Sequence, residues 1–375
     1  SESAPEGIKA DLQVSGIAGG SPLSSSSQYI GAVDALDSGE VTFTLAADAE
    51  DSSRLLRQFS IPAELAVTAR PGALSLSGQG SLEAGIFSSL VADLAGTRLN
   101  AEGFIRPGRG TALGFDGSMT LTTKAINPLL AMAGISFSGA LQDELGLSEG
   151  FAVDLAGQVS LDGGRMDAEI ASASIDGEEF RGSGTLDLTG DVPSIVGDFV
   201  LDRMSLPWAL SLGMGEDPFA FVIDETIWSD SPFQVTAFGD LELAIGLRAS
   251  VLEISDSLQA DNAGVTIIAS AGNLGVEVTD AGFAGGLLSG IVNIRNTLGS
   301  VVMNGNLSLS EAALEEVVWR PEGRAAALGA LNVTADFEGN GDSMIELVSS
   351  LTGGGTLLVE NGEFRSINPI AFRRA

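Results

Sequence analysis

The chain has 375 residues, of which 18 are basic and 50 acidic, so its net charge at neutral pH is −32. This excess of negative charge repels phosphate groups and argues against binding to nucleic acids or to anionic lipid headgroups. The sequence contains neither histidine nor cysteine, which excludes Ser-His-Asp and Cys-His nucleophilic sites and nearly all zinc sites. Because 44% of the residues are hydrophobic, we expect a hidden apolar surface and an acidic exterior.

The beginning of the chain differs in pattern from the remainder. Residues 1–35 include the serine run 24–27 and predict a loosely ordered lead-in. From residue 36 onward, apolar and polar residues alternate, as in 41–45 and 240–250, and this period of two predicts half-buried strands. Asp-Gly and Asn-Gly pairs separate such runs and favour tight hairpins. The pattern therefore predicts an antiparallel meander.

Helical patterns are few and short. The last of them has Asp342 or Ser343 as its N-cap. We expect such helices to plug or cap the ends of the meander. The four predicted helical segments are 126–134, 202–214, 311–319 and 343–351.

A glycine followed by apolar residues at the second and fourth positions after it recurs along the chain. Gly184-Thr185-Leu186-Asp187-Leu188 is one example. The others begin at Gly117, Gly157, Gly239, Gly290, Gly305 and Gly355. The irregular spacing argues against a fixed-period solenoid and indicates strands of one sheet joined by uneven loops. We expect the glycine to let each strand bend where it enters the sheet.

Open sheets of more than about ten strands usually curl or split. The sequence therefore predicts a mostly β fold: an elongated, strongly curled antiparallel sheet, taco-shaped or U-shaped, with an apolar interior and a few short helices. The apolar face either packs on a second sheet, as in a β-sandwich, or lines a groove filled by acyl chains, and the residues alone leave both open. The predicted lining residues are Met119, Leu121, Val159, Leu161, Leu186, Leu188, Leu241, Leu243, Ile245, Leu247, Val292, Ile294, Leu307, Leu309, Leu357 and Val359.

Four segments resemble the AsmA family of bacterial envelope proteins, and it is their order along the chain that carries the resemblance. The likeness spans roughly residues 115–372 and is strongest after residue 227. It divides the chain into a lead-in over 1–35, a first part of the β-groove over 36–226, and an AsmA-like C-terminal module over 227–375. The segments are EEFRGSGTLDLTGDVPSIVGDFVLDRMSLPWAL (178–210), IWSDSPFQVTAFGDLELAIGLRA (227–249), GFAGGLLSGIVNIRN (282–296) and NVTADFEGNGDSMIELVSSLTGGGTLLVENGEFRSINPIAF (332–372).

The resemblance to AsmA and the related TamB group implies non-enzymatic, bridge-like transport of phospholipid between the inner and outer membranes, with no cofactor and no metal. It implies a periplasmic protein anchored to the inner membrane, with phospholipid acyl chains as its partner and membrane proteins at the ends of its groove. The most apolar stretch, residues 128–141, is shorter than the ~20 residues of a membrane span. We therefore expect this chain, which begins at Ser1, to be a fragment that lacks the anchor.

Two other functions are compatible with the sequence. The chain could be a periplasmic scaffold that assists outer-membrane protein assembly through the edges of its sheet. A carboxylate-based hydrolase is also compatible with so many acidic residues, although no pair stands out by its spacing. The segment Gly339-Asn340-Gly341-Asp342 suggests a calcium turn, but the repeat of calcium β-rolls is absent, which favours a helix cap.

Overall fold

The chain divides into two compact units, Ser1–Gly197 and Asp198–Ala375. Strands dominate both units, and the described helices are short. Within each unit the sheet is antiparallel, curled and open, so the predicted mostly β fold class is confirmed. The computed structural model describes residues 7–58, 71–94, 96–107, 113–124, 152–175, 178–214, 221–223, 227–233, 241–255, 258–318 and 325–364.

The first unit is a meander in which each strand pairs with its neighbours in the sequence. A 3-10 turn (Leu36–Ser38) and helix α1 (Ser52–Gln58) interrupt it. Its strands are β1 (Gly7–Ala18), β2 (Ser21–Ala32), β3 (Glu40–Ala49), β4 (Gly72–Ser81), β5 (Gly85–Leu94), β6 (Thr97–Pro107), β7 (Leu113–Thr123), β8 (Val153–Asp162), β9 (Arg165–Ile175) and β10 (Glu178–Asp187).

Strand β11 (Ser194–Ser205) runs from the first unit into the second, where β14 to β20 form another meander. Strands β12 and β13 pair only with each other among the described residues. The strands are β12 (Phe221–Ile223), β13 (Ile227–Trp228), β14 (Glu242–Ser255), β15 (Leu258–Ser270), β16 (Asn273–Phe283), β17 (Gly286–Thr297), β18 (Ser300–Ala313), β19 (Ala327–Gly341) and β20 (Thr352–Phe364). The helices are α2 (Leu206–Met214), α3 (Leu314–Val317) and α4 (Met344–Ser350).

The N-terminal prediction of a loosely ordered lead-in is wrong for residues 7–32, which form β1 and β2. The serine run lies within β2, where Ser25 pairs with Val14 on one side and Leu45 on the other. Serine has little strand preference of its own, so the pairing with apolar neighbours decides the outcome. The boundary between the compact units also lies at 197/198 rather than at 226/227.

Three of the four predicted helical segments fall on described residues, and each contains a helix that is shorter than predicted. Residues 202–205 continue strand β11, and residues 311–313 continue strand β18. The third, α4, has Ser343 as its N-cap, whose Oγ accepts the Glu346 N–H at 3.4 Å. The predicted helix over 126–134 lies outside the described residues.

Helices α1 and α3 pack over the ends of strands within the meanders rather than at the ends of a meander. Leu55 of α1 is fully buried beside Ala47 and Ala49 of β3. Leu314 of α3 packs with Leu309 and Leu331 at one end of β18 and β19. The helices therefore cover some of the strand ends. The middle parts of the strands carry an apolar face.

Candidate functional site

The register of the first unit places apolar residues of successive strands directly opposite one another. Leu45, Leu76, Leu90, Ala101 and Met119 form one such row across β3 to β7. Because opposed residues of an antiparallel pair point to the same face, this row defines a face, here called the inner face. Further rows on it contain Leu74, Ala92, Leu99, Leu121 and Leu155, and Ile86, Ile105, Phe115, Leu161, Met166 and Leu186.

Charged residues lie on the opposite face, here called the outer face. On β3 to β9, every Asp, Glu, Lys and Arg alternates with the inner-face residues and so points outward. Exposed ion pairs join some of them, such as Arg98 with Asp93 at 2.9 Å and Arg106 with Asp116 at 3.3 Å. The inner face of these strands therefore presents no charge.

Most large side chains of this inner face are only half-buried, including Leu76, Leu90, Met119 and Leu155, whereas Val153 and Val159 of β8 are buried. In the described part of the unit, Leu55 is the one large apolar side chain that is fully buried. The described strands of the unit all belong to one meander, in which each strand pairs with its neighbours in the sequence, so the unit contains no separate second sheet among its described residues. A close-packed sandwich core would bury such leucines, and the described face has the properties of an open groove instead.

The second unit differs, because helix α2 lies on the apolar face of its sheet. This face carries Leu274 and Ile294 and is here called the inner face of the second unit. Gly213 sits so close to β16 and β17 that an added Cβ would lie 2.8 Å from Leu274 Cδ2 and 3.3 Å from Ile294 Cγ2. Asn296 of β17 is buried, and its Nδ2 donates to the Gly213 carbonyl at 3.2 Å. Val276, which follows Leu274 by two residues on β16, is 1% exposed. This part of the second unit is a packed core.

Toward the end of its sheet the inner face of the second unit becomes exposed. Leu307 on β18 is 40% exposed and Leu357 on β20 is 69% exposed, although both have the inner-face register. Strand β20 pairs with β19, and no described residue pairs along its other side. Among the described residues, the apolar face thus ends at a strand edge that has no pairing partner.

The predicted lining residues fall into two sets, one in each unit. In the first, Leu188 lies just after the end of β10 and is exposed, and the others lie on the inner face: Met119, Leu121, Val159, Leu161 and Leu186. In the second, Leu241 is buried just before β14, and the others have the inner-face register: Leu243, Ile245, Leu247, Val292, Ile294, Leu307, Leu309, Leu357 and Val359.

Six of the seven recurrent glycines lie within strands rather than at their starts, so their predicted place at the strand entry is wrong, and Gly239 lies outside the described residues. Gly117 is central in β7, and Gly290 and Gly305 are central in β17 and β18. A Cβ on Gly290 would lie 2.6 Å from the Asn306 carbonyl oxygen of the neighbouring strand. These glycines share the inner face with their apolar neighbours and allow the close backbone approach that a curled sheet requires.

The glycine pattern missed equivalent residues on β3 to β6, among them Leu45, Leu76, Leu90 and Leu99. Leu45, Leu90 and Leu99 have no glycine two or four positions before them, whereas Leu76 does follow the pattern, from Gly72, and was overlooked. The alternation alone, as in Leu74-Ser75-Leu76, was the signal that could have found them.

The outer face of β9 and β10 carries a small acidic network. A hydrogen bond from Thr185, together with a weaker effect of one from Arg165, lowers the pKa of Asp167. Hydrogen bonds from the Thr189 hydroxyl and N–H lower the pKa of Asp187. These carboxylates are exposed and ionised and do not form an acid–base pair in a cleft.

The described residues contain no cluster of acidic side chains that could hold a metal ion. Their helices are all too short or too polar to cross a bilayer. No protein-family model, curated protein or solved structure matches the chain.

Proposed function

We propose that the chain holds phospholipid acyl chains against the inner face of its first unit and takes part in bridge-like, non-enzymatic phospholipid transport between two membranes. The observation that carries the proposal is the uncharged inner face of β3 to β9, whose large side chains are mostly half-buried in a unit with one described sheet. Burying such a surface against acyl chains is favourable by about 25 cal/mol per Å² of apolar area.

The distribution of charge supports the same proposal. Acyl chains need a surface without charges, since an unpaired charge is costly to bury in hydrocarbon. The acidic outer face keeps the protein soluble and makes copies repel one another. Binding through acyl chains also needs few polar contacts, in agreement with the scarcity of polar side chains among the inner-face rows.

The resemblance to the AsmA family adds the cellular setting to this proposal. In that setting the protein is periplasmic and tethered to the inner membrane, and lipid moves along the groove toward the outer membrane. Membrane proteins at the ends of the groove are the proposed partners, and no cofactor or catalytic residue is involved.

Mass spectrometry of lipids extracted from the purified chain, expressed with an export signal in a Gram-negative bacterium, tests the proposal. We expect phospholipid in at least stoichiometric amount that stays bound through size-exclusion chromatography. A photo-crosslinking amino acid at Leu90, on the inner face, should capture lipid, whereas the same amino acid at Val91, on the outer face, should not. Lipid-free protein, or equal capture at both positions, would overturn the proposal and favour a scaffold.

A further inference from the structure

The first eight residues of β20 lack the features that normally protect an edge strand. Edge strands usually carry charges, prolines or bulges that prevent pairing with other chains. Residues 352–359 contain no charge and no proline, and Leu357 and Leu358 are 69% and 50% exposed, whereas the charged residues of this strand, Glu360 and Glu363, lie in its last five residues. By contrast β1, at the first edge of the other unit, carries Lys9 and Asp11.

We propose that this edge pairs with β20 of a second copy of the chain, in an antiparallel ladder whose twofold axis passes through Thr356. This register is indicated by the order of small and large residues in Thr-Gly-Gly-Gly-Thr-Leu-Leu-Val, residues 352–359. Around Thr356, each glycine of one copy lies opposite an aliphatic residue of the other. The pairs are Gly355 with Leu357, Gly354 with Leu358, and Gly353 with Val359.

The space opposite the aliphatic side chains is available. An ideal Cβ on Gly354 would have no atom within 4 Å, so the outer face of the sheet is uncovered at this position and leaves room for the partner's Leu358 side chain. A twofold contact of this kind is self-complementary, because the same strand supplies both the side chains and the glycines that receive them. A different β-protein would have to match three consecutive glycines with three large residues by chance.

In the proposed register, the inner faces of the two copies lie on the same side of the shared sheet. Residues opposite each other in an antiparallel pair share a face, so Leu357 and Val359 of one copy would join the inner face of the other. The exposed end of the apolar face in the second unit would then continue into the same face of the partner copy. This inference does not depend on which ligand the inner face binds.

The negative charge of the two copies weakens the pairing. Each copy carries a net charge of −32, so association is opposed by repulsion at low salt. Screening over a Debye length of about 8 Å at physiological ionic strength relieves part of this repulsion. We therefore expect a dimer that becomes more populated as the salt concentration rises.

Disulfide trapping tests the register directly, because the chain has no cysteine. Under mild oxidation most of a Thr356→Cys variant should form a reducible dimer. The matched control is Thr334→Cys, whose residue is exposed and pairs with Thr356 from β19. Its distance to its own symmetry mate is three strand spacings, about 14 Å, and is too long for a disulfide.

Sedimentation velocity at increasing protein and salt concentrations supplies an independent measurement. Wild type should shift from monomer toward dimer, and Gly354→Val, which fills the space for the partner's Leu358, should stay monomeric while remaining folded. A wild-type monomer under all conditions would overturn the proposal. So would equal trapping of the two cysteine variants, or capture of a different protein by Thr356→Cys in place of the dimer.

Discussion

Gly103 and Gly117 face each other across β6 and β7, and a Cβ added to Gly103 would lie 2.5 Å from the Gly117 Cα. No side chain larger than hydrogen fits there unless the two strands move apart. The pair lies on the inner face in the middle of both strands, where the backbones approach most closely.

Gly103→Ala should therefore destabilise the protein by about 1–3 kcal/mol, the usual cost of overpacking a close contact. The matched control is Gly114→Ala on β7, where the nearest atom to an added Cβ is the Leu161 carbonyl oxygen at 3.4 Å. That variant should change the free energy of unfolding by less than about 0.5 kcal/mol. Urea denaturation of both variants measures this, and equal effects would contradict the close approach.

Asn296 should hold helix α2 on the inner face of the second unit. Its Nδ2 donates to the Gly213 carbonyl and its Oδ1 accepts the Gly299 N–H at 2.9 Å. Asn296→Ala removes both bonds and should cost about 1–3 kcal/mol, because buried polar groups lose their partner. Faster hydrogen exchange of the α2 amides should accompany the loss.

The control for this prediction is Asn293→Ala, on the same strand but exposed, where Nδ2 donates to Asn304 Oδ1 at 3.2 Å. We expect a change below about 0.5 kcal/mol and unaltered exchange in α2. Similar exchange in α2 for both variants would show that Asn296 does not hold the helix.

Charges placed on the inner face should abolish lipid binding in the first unit. The variant Leu90→Glu with Met119→Glu puts two carboxylates in one apolar row, where burying them beneath acyl chains is unfavourable. We expect bound phospholipid to fall roughly tenfold or more, which corresponds to at least about 1.4 kcal/mol. Mass spectrometry of extracted lipid provides the measurement.

The matched control is Val91→Glu with Thr120→Glu, which adds the same charge to adjacent residues on the outer face. It should retain wild-type lipid. Circular dichroism and protease resistance should confirm that both variants are folded. Normal lipid content in the folded inner-face variant would refute acyl-chain binding at this row.

The acidic network of β9 and β10 should make a small contribution to stability that depends on pH. The pKa of Asp167 is lowered chiefly by its hydrogen bond from Thr185, so this contribution is present above the unfolded-state pKa of about 3.9. It is lost as the pH falls through the lowered pKa of the folded state. Thr185→Val should therefore lower the melting temperature at pH 7 but not at a pH below that value.

A suitable control for the pH effect is Thr120→Val, since Thr120 lies on the outer face and accepts a hydrogen bond from Asn100 rather than donating one to a carboxylate. Its effect on the melting temperature should be the same at both pH values. A Thr185→Val deficit that persists unchanged at the lower pH would rule out the hydrogen bond to Asp167 as its cause.

The repeating strands could be predicted from local pattern because alternation is visible within a few residues. Leu243, Ile245 and Leu247 alternate with polar or small residues and do share one face. The N-cap Ser343 likewise depends on its immediate neighbours. In such cases the chain's own periodicity and capping chemistry determine the structure.

The differences between the two inner faces could not be predicted in this way. Ile294 and Met119 have the same local pattern, yet Ile294 is 2% exposed beneath α2 while Met119 is half-buried. What separates them is the contact of Gly213 with β16 and β17, between residues distant in sequence. A glutamate at Ile294 would for this reason test core packing rather than lipid binding.

The pairing of sequence neighbours in the first unit has a kinetic consequence. Every strand from β2 to β9 pairs with the strands that precede and follow it in chain order, and most of these are joined by short connections, the longer ones lying between β3 and β4 and between β7 and β8. Folds dominated by such near-neighbour contacts form quickly, because little chain entropy is lost in closing each loop. The first unit is thus suited to assembling one hairpin at a time from its N-terminus while the ribosome is still synthesising the second.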